Sequence, residues 1–327
     1  MRKPIECERD FPIKLSNNVF STTGKVWDIL YASFVGDLEA VKKLVSSCAE
    51  LIYAQYNYMP PIHLAVREGH KELVVYLLKN GAHNPAYNFY PFQESLQVIA
   101  RDRGFDDIAL MLDEYAAGRS IPKYHGDNGE IDYGRTELQK EFEQQVDKEN
   151  MGRVSAILKE HPEFALDPTY FWSEGVLLFA AKEYNVPMME LLMSYGATVP
   201  SLLKWTQFYY FERTDSAKYL LERGMNPNTG SWQNVSILHD MAQKGFIDRA
   251  ELLIKHGADI NAIDDEYSST PLGMAARWGR EEMVLFLLKN GADPNLGGAA
   301  WASPLRWASA KNYPAIERSL FDAGGRI

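Results

Sequence analysis

The 327-residue sequence contains only two cysteines, Cys7 and Cys48. Two thiols cannot build a disulfide framework or a four-ligand zinc site, and Cys48 falls in an amphipathic helical pattern where a small thiol is an ordinary core residue. Long apolar runs are missing too. No stretch of about eighteen apolar residues occurs, and the opening "MRKPIECERDFPIKLSNN" has two early basic residues but no continuous apolar segment, so neither a membrane span nor a secretory signal is expected. Positive charge is scarce: 34 Lys and Arg stand against 44 Asp and Glu, giving a net charge of −10 and a pI near 5.3. A sequence-independent grip on phosphate backbones needs clustered cations, so nucleic acid is not an expected partner. The chain reads as cytoplasmic and monomeric.

Motifs that carry chemistry are also lacking. The sequence has no Gly-rich phosphate loop, no His-x-x-x-His spacing, no Cys pairs and no nucleophile elbow. No catalytic residue, metal ligand or cofactor is therefore assigned. "DNGEID" (127–132) glances at a calcium loop. With Gly129 in the required sixth place, however, the first and twelfth positions are Tyr124 and Arg135, where carboxylates are needed.

What the sequence does contain is a repeat. "PPIHLAVREGHKELVVYLLKNGAHNP" (60–85) and "TPLGMAARWGREEMVLFLLKNGADPN" (270–295) share a small residue at Ala65 and Ala275, a glycine four residues later at Gly69 and Gly279, paired leucines, and a closing Gly-Ala. The closing glycine falls at Gly81, Gly196, Gly224, Gly257, Gly291 and Gly324, with intervals of 33, 34 and 33 over the last four. Each position has a physical reason. Thr270 and Ser303 are helix N-caps, and the prolines after them, Pro271 and Pro304, fit the first helical position, where a missing N–H costs nothing. Ala65, Ala180, Ala275 and Ala308 allow close helix approach. Leu77-Leu78, Leu191-Leu192, Leu252-Leu253 and Leu287-Leu288 fill the space between repeats, and the closing glycine supplies a left-handed residue.

This pattern resembles the ankyrin repeat. The resemblance implies an all-α solenoid of about nine helix-turn-helix repeats with hairpin turns, arranged in two blocks. Residues 1–25 form an N-terminal segment or cap, 26–118 about three repeats with the third degenerate, 119–136 an irregular junction, and 137–327 about six repeats. "WTQFYYFERTD" (205–215) replaces a first helix in a shortened repeat and is expected in the core. The resemblance also implies a protein-interaction module, an adaptor, inhibitor or effector, that binds through its concave face and hairpin tips. His63 and His239 match the family's turn histidine, so a structural role is expected for both.

Aromatic residues recur near the hairpin turns, where Asn, Asp and Gly are usual. Tyr56, Tyr58, Tyr87, Phe89, Tyr90, Trp172, Trp232, Tyr267 and Trp301 occupy such places, and Trp278 ends a first helix beside Arg277. These ten are the candidate partner-binding residues. Either they face outward as a row along one edge, or each packs on its own repeat. The acidic surface favours a basic protein or peptide as partner. A second reading is a small-molecule or carbohydrate binder, or an unusual enzyme, with a pocket at the junction built from Tyr124, His125, Glu130 and Tyr133.

Overall fold

The computed structural model describes residues 1–15, 18–82, 94–117, 129–204 and 208–326. The chain divides into two compact units, Glu6–Gly134 and Met1–Ile5 together with Arg135–Ile327. The fold is all-α, a repeat solenoid of stacked helix pairs with a few short strands.

After a one-turn helix α1 (Ile5–Glu8), the first unit stacks three pairs: α2 (Thr23–Val35) with α3 (Leu38–Ser47), α4 (Pro61–Arg67) with α5 (Lys71–Lys79), and α6 (Leu96–Asp102) with α7 (Asp106–Ala116). Its other part is a small antiparallel sheet in the order β2-β1-β3, formed by β1 (Pro12–Lys14), β2 (Phe20–Thr22) and β3 (Glu130–Ile131). Ile13 pairs with Ser21 on one side and Ile131 on the other, and its side chain is buried. Gly129 makes this approach possible: it has φ +69, and a Cβ there would lie 2.7 Å from Ile13 Cδ1. Part of the stretch read as an irregular junction thus pairs with part of the stretch read as a cap. Strands of two and three residues are too short to show a period.

In the second unit the pairs are α8 (Glu137–Asp147) with α9 (Met151–Glu160), α11 (Leu178–Glu183) with α12 (Val186–Ser194), α14 (Ile237–Lys244) with α15 (Ile247–Lys255), α16 (Pro271–Arg277) with α17 (Glu281–Lys289), and α18 (Pro304–Ala310) with α19 (Pro314–Asp322). Between α9 and α11 lies the single turn α10 (Tyr170–Ser173). In the shortened repeat a 3-10 turn at Tyr209–Phe211 stands in for the first helix before α13 (Thr214–Glu222), and Phe208, Tyr210 and Phe211 are buried as expected. A two-residue parallel pairing joins β4 (Leu202–Leu203) to β5 (Gly230–Ser231).

Helices this short are marginal alone in water, so stability comes from stacking. First helices pack on first helices (α2 on α4, α4 on α6, α14 on α16, α16 on α18), with Ala65, Ala275 and Ala308 buried on these helices, and Ala180 is buried on α11. The Thr270 hydroxyl accepts the Gly273 N–H at 3.2 Å and the Ser303 hydroxyl that of Arg306 at 3.4 Å. Gly224, Gly257, Gly291 and Gly324 close their helices with φ of 89 to 92°.

Candidate partner-binding surface

Of the ten candidate rings, Tyr87, Phe89 and Tyr90 lie outside the described residues. The other seven do not form one exposed row. Tyr56, Trp232 and Tyr267 are buried, Tyr58, Trp278 and Trp301 are half-buried, and Trp172 is exposed at 57%. The expectation of outward-facing tips is corrected for the first three. Their spacing from the helix start drifts: Trp232 precedes the cap Ser236 by four residues, Tyr267 precedes Thr270 by three, and Trp301 precedes Ser303 by two. The left-handed residue that turns the tip keeps its place two residues before the cap, at Asn234 and at Ser268, so Trp232 stands two residues ahead of it and Tyr267 only one. Because successive side chains of an extended chain face opposite ways, similar spacing does not fix which way a ring points.

The buried rings have specific work. Tyr56 sits in a two-residue hairpin closed by its bridge to Met59, with Asn57 and Tyr58 both left-handed. Its hydroxyl donates to Glu6 Oε1 at 2.8 Å, and burial pushes the phenol pKa well up. In the second unit Tyr267 meets Trp278 edge to face at 5.2 Å, and Trp301 meets Trp307 at 5.6 Å. The buried Arg277 guanidinium lies 4.3 Å from the Trp307 ring centre, 4.7 Å from Tyr267 and 4.9 Å from Trp278. Ring faces compensate a desolvated cation by about 2 kcal/mol in favourable cases. This cluster therefore holds a charged core residue in place.

Trp172 is built differently. Phe171, Trp172 and Ser173 are consecutive non-glycine residues in the left-handed region, with φ of 50, 59 and 68°. At roughly 1–2 kcal/mol each, such a turn persists only where its surroundings determine it. Here they do. Tyr170 before it is buried against Phe142, with the Arg135 guanidinium 3.9 Å from its ring centre. Arg135 also donates to Thr169 Oγ1 and lies 3.7 Å from both Glu143 and Asp167 carboxylates, while Glu143 accepts the Phe171 N–H at 2.8 Å. After the turn, the buried Glu174 carboxylate accepts the Lys204 N–H at 2.7 Å, and its carbonyl accepts the Tyr210 hydroxyl. With both flanks fixed, the turn holds the Trp172 indole out of the core and edge-on to half-buried Phe179 of α11, 6.3 Å away.

Sequence reasoning missed Phe179 and a second group in the first unit. On α2, Trp27, Tyr31 and Phe34 form a continuous stripe, Tyr31 being 6.2 Å from Trp27 and 6.3 Å from Phe34, with Tyr31 exposed. The signal was available in the i, i+4, i+7 spacing of these rings. It reads as core until the exposure of the first helix is known.

His239 has the expected structural role. Its Nε2 lies 3.0 Å from the Ser269 carbonyl, which can only accept, so the proton is on Nε2 and Nδ1 accepts from Ser236, whose hydroxyl is 2.7 Å away. Asp264 stands 4.0 Å from the same imidazole and accepts the N–H groups of Tyr267 and Ser269. Burial lowers the His239 pKa and raises that of Asp264. Ser, His and Asp thus lie in a row, but all three are buried and join one hairpin tip to the next rather than face a substrate.

Of the junction residues, Tyr124 and His125 lie outside the described residues; Glu130 is exposed in β3, and Tyr133 packs edge to face on Phe11 at 5.1 Å. Among the described residues no group of three or more His, Cys, Asp or Glu could hold a metal ion, and no helix is long and apolar enough to cross a membrane.

Comparison with known proteins agrees with the helix pairs. Residues 57–88 match the ankyrin repeat model and residues 209–297 a model of three ankyrin repeats. Palmitoyltransferase ZDHHC13 of Homo sapiens is 38% identical over 129 residues, 39% of this chain and 20% of that protein. Palmitoyltransferase ZDHHC17 of Rattus norvegicus is 36% identical over 95 residues, 29% of this chain and 15% of that protein. The 2-5A-dependent ribonuclease of Mus musculus is 36% identical over 94 residues, 28% and 13% of the two chains. The matches thus span a fifth or less of these relatives, and the activities in their names are theirs. With the Thr-Pro and Ser-Pro caps, the buried alanines and the closing glycines all in register, the chain carries ankyrin repeats.

Proposed function

We propose that the chain works as a protein-interaction module, in which Trp172, backed by Phe179, is a principal partner contact of the Arg135–Ile327 unit. Stacks of this family are typically not catalytic, and binding needs no reaction. The observation that carries the proposal is the turn at 171–173: three left-handed residues are held in place by Arg135, Glu143 and Glu174, and the ring they present is exposed at 57%. An ordered, exposed indole loses little freedom on binding, and tryptophan is among the residues that dominate interface energies. Strain located at an exposed aromatic is itself a functional signature. With a net charge of −10, the surface favours a basic protein or peptide, and a cytoplasmic adaptor or inhibitor role fits that chemistry.

Affinity capture from native lysate tests this with the whole chain, Trp172→Ala, and Phe321→Ala as a control at another exposed ring, 70% accessible. Trp172→Ala should leave the thermal midpoint within a few degrees of wild type while retained partner falls by about 30-fold, the loss of a hot spot near 2 kcal/mol. Phe321→Ala should retain the partner. Equal capture by Trp172→Ala and wild type would overturn the assignment.

A further inference from the structure

Residues 1–5 belong to the same compact unit as residues 135–327. The Arg2 N–H donates to the Trp232 carbonyl at 2.7 Å, the Met1 amino group stands 3.0 Å from Asp265 Oδ2, and the Met1 side chain is fully buried. Pro4 is buried as well, whereas Arg2 and Lys3 are exposed. Residues 1–4, a short non-helical segment ahead of α1 with two cationic side chains, therefore lie against two successive hairpin tips.

Those tips hold each other without the segment. The Asp265 N–H donates to the Gln233 carbonyl at 2.8 Å, Asn234 Nδ2 to Asp265 Oδ2 at 2.8 Å, and Gln233 Nε2 to Glu266 Oε2 at 2.7 Å. The receiving surface is thus ordered by its own bonds. Its partly exposed carboxylate is Asp265, opposite in sign to Arg2 and Lys3, while Asp264 and Glu266 are buried within the tips. A main-chain hydrogen bond beside a buried anchor side chain is the way extended peptides are commonly recognised.

We propose that the tips around Trp232 and Asp265 are a docking site for a basic, non-helical protein segment led by an apolar side chain, and that residues 1–5 occupy this site in cis. The proposal rests on the reading of the chain as an interaction module: an incoming segment must first displace residues 1–5. A tethered segment acts at an effective concentration on the order of 1 mM. Against a free-peptide Kd of about 10–100 μM, cis occupancy weakens binding in trans by about 10- to 100-fold.

The test is fluorescence anisotropy with a C-terminally labelled peptide of residues 1–6, MRKPIE, with a free amino group. It is titrated with the full chain, with the chain lacking residues 1–5, and with full-length Arg2→Pro. The last removes the N–H that donates to Trp232 and alters only an exposed residue. Both altered chains should bind the peptide at least about tenfold more tightly than wild type, and adding Asp265→Asn to Arg2→Pro should weaken that binding about two- to fivefold. Should the shortened chain fail to fold, Arg2→Pro decides, with helix content checked by circular dichroism. Equal binding by wild type and Arg2→Pro, or no binding by Arg2→Pro, overturns the proposal. Neither result bears on the capture experiment, because the turn at Trp172 is unaltered in these variants.

Discussion

Replacing Trp307 by alanine should destabilise the Arg135–Ile327 unit by about 3–5 kcal/mol, the range for removing a large buried aromatic. Trp307 is 1% exposed on α18. Its Nε1 donates to Ser269 Oγ at 2.6 Å, tying the last helix pair to the preceding tip, and its ring is the nearest of the three around Arg277, at 4.3 Å. Truncation therefore opens a void, removes a buried hydrogen bond and takes one face from a buried cation. Solenoid stability is a sum of neighbour terms, so the loss should concentrate in α16 to α19 instead of spreading evenly. At about 2–4 °C per kcal/mol, the main thermal midpoint falls by about 10 °C, or a separate early transition appears. Circular dichroism melts together with hydrogen exchange over residues 271–322 would show which. A shift under about 3 °C with unchanged exchange there would mean that the ring cluster is not structural. Trp172→Ala is the contrast: the same chemical truncation with the midpoint almost unmoved.

That contrast is what the sequence could not supply. The repeat itself was legible because its determinants are local: the Thr-Pro start, the small residue where helices meet and the glycine that ends the second helix each act through nearest-neighbour geometry, and they recur at fixed spacing. Ring orientation is set otherwise. Trp232 and Trp172 both precede a first helix, yet one is buried and the other exposed, because the turns between ring and helix differ. The turn at Phe171–Ser173 uses three non-glycine residues in a conformation that favours glycine or asparagine, so no residue preference announces it. Its supports, Arg135, Glu143 and Lys204, lie about 30 residues away on either side. The pairing of Ile13 with Ile131 was hidden for the same reason, since contacts across more than a hundred residues leave no local period. The bond from the N-terminal segment to Trp232 is likewise non-local.

Acid should weaken the Glu6–Gly134 unit through His63. This side chain is buried in α4, and burial lowers its pKa well below the usual histidine value, with the Arg67 and Arg103 guanidinia acting in the same direction. Above about pH 6.5 the imidazole is neutral in both folded and unfolded chains, and pH has no effect through it. Below that, the unfolded chain binds a proton that the folded chain refuses. Stability is thus fully present above the unfolded pKa and falls by about 1.4 kcal/mol per pH unit on acidification, until the folded pKa is reached. His239 acts with the same sign and Asp240, raised to about 7, with the opposite one, but both belong to the other unit. The effect is therefore best read locally, by hydrogen exchange of peptides covering α4 and α5 between pH 7.5 and 5, with rates corrected for intrinsic pH dependence. Wild type should lose protection across that interval; His63→Leu, whatever its starting stability, should lose much less. A slope that survives the substitution would show that the proton enters elsewhere, and that the buried imidazole is not what makes this stack sensitive to acid.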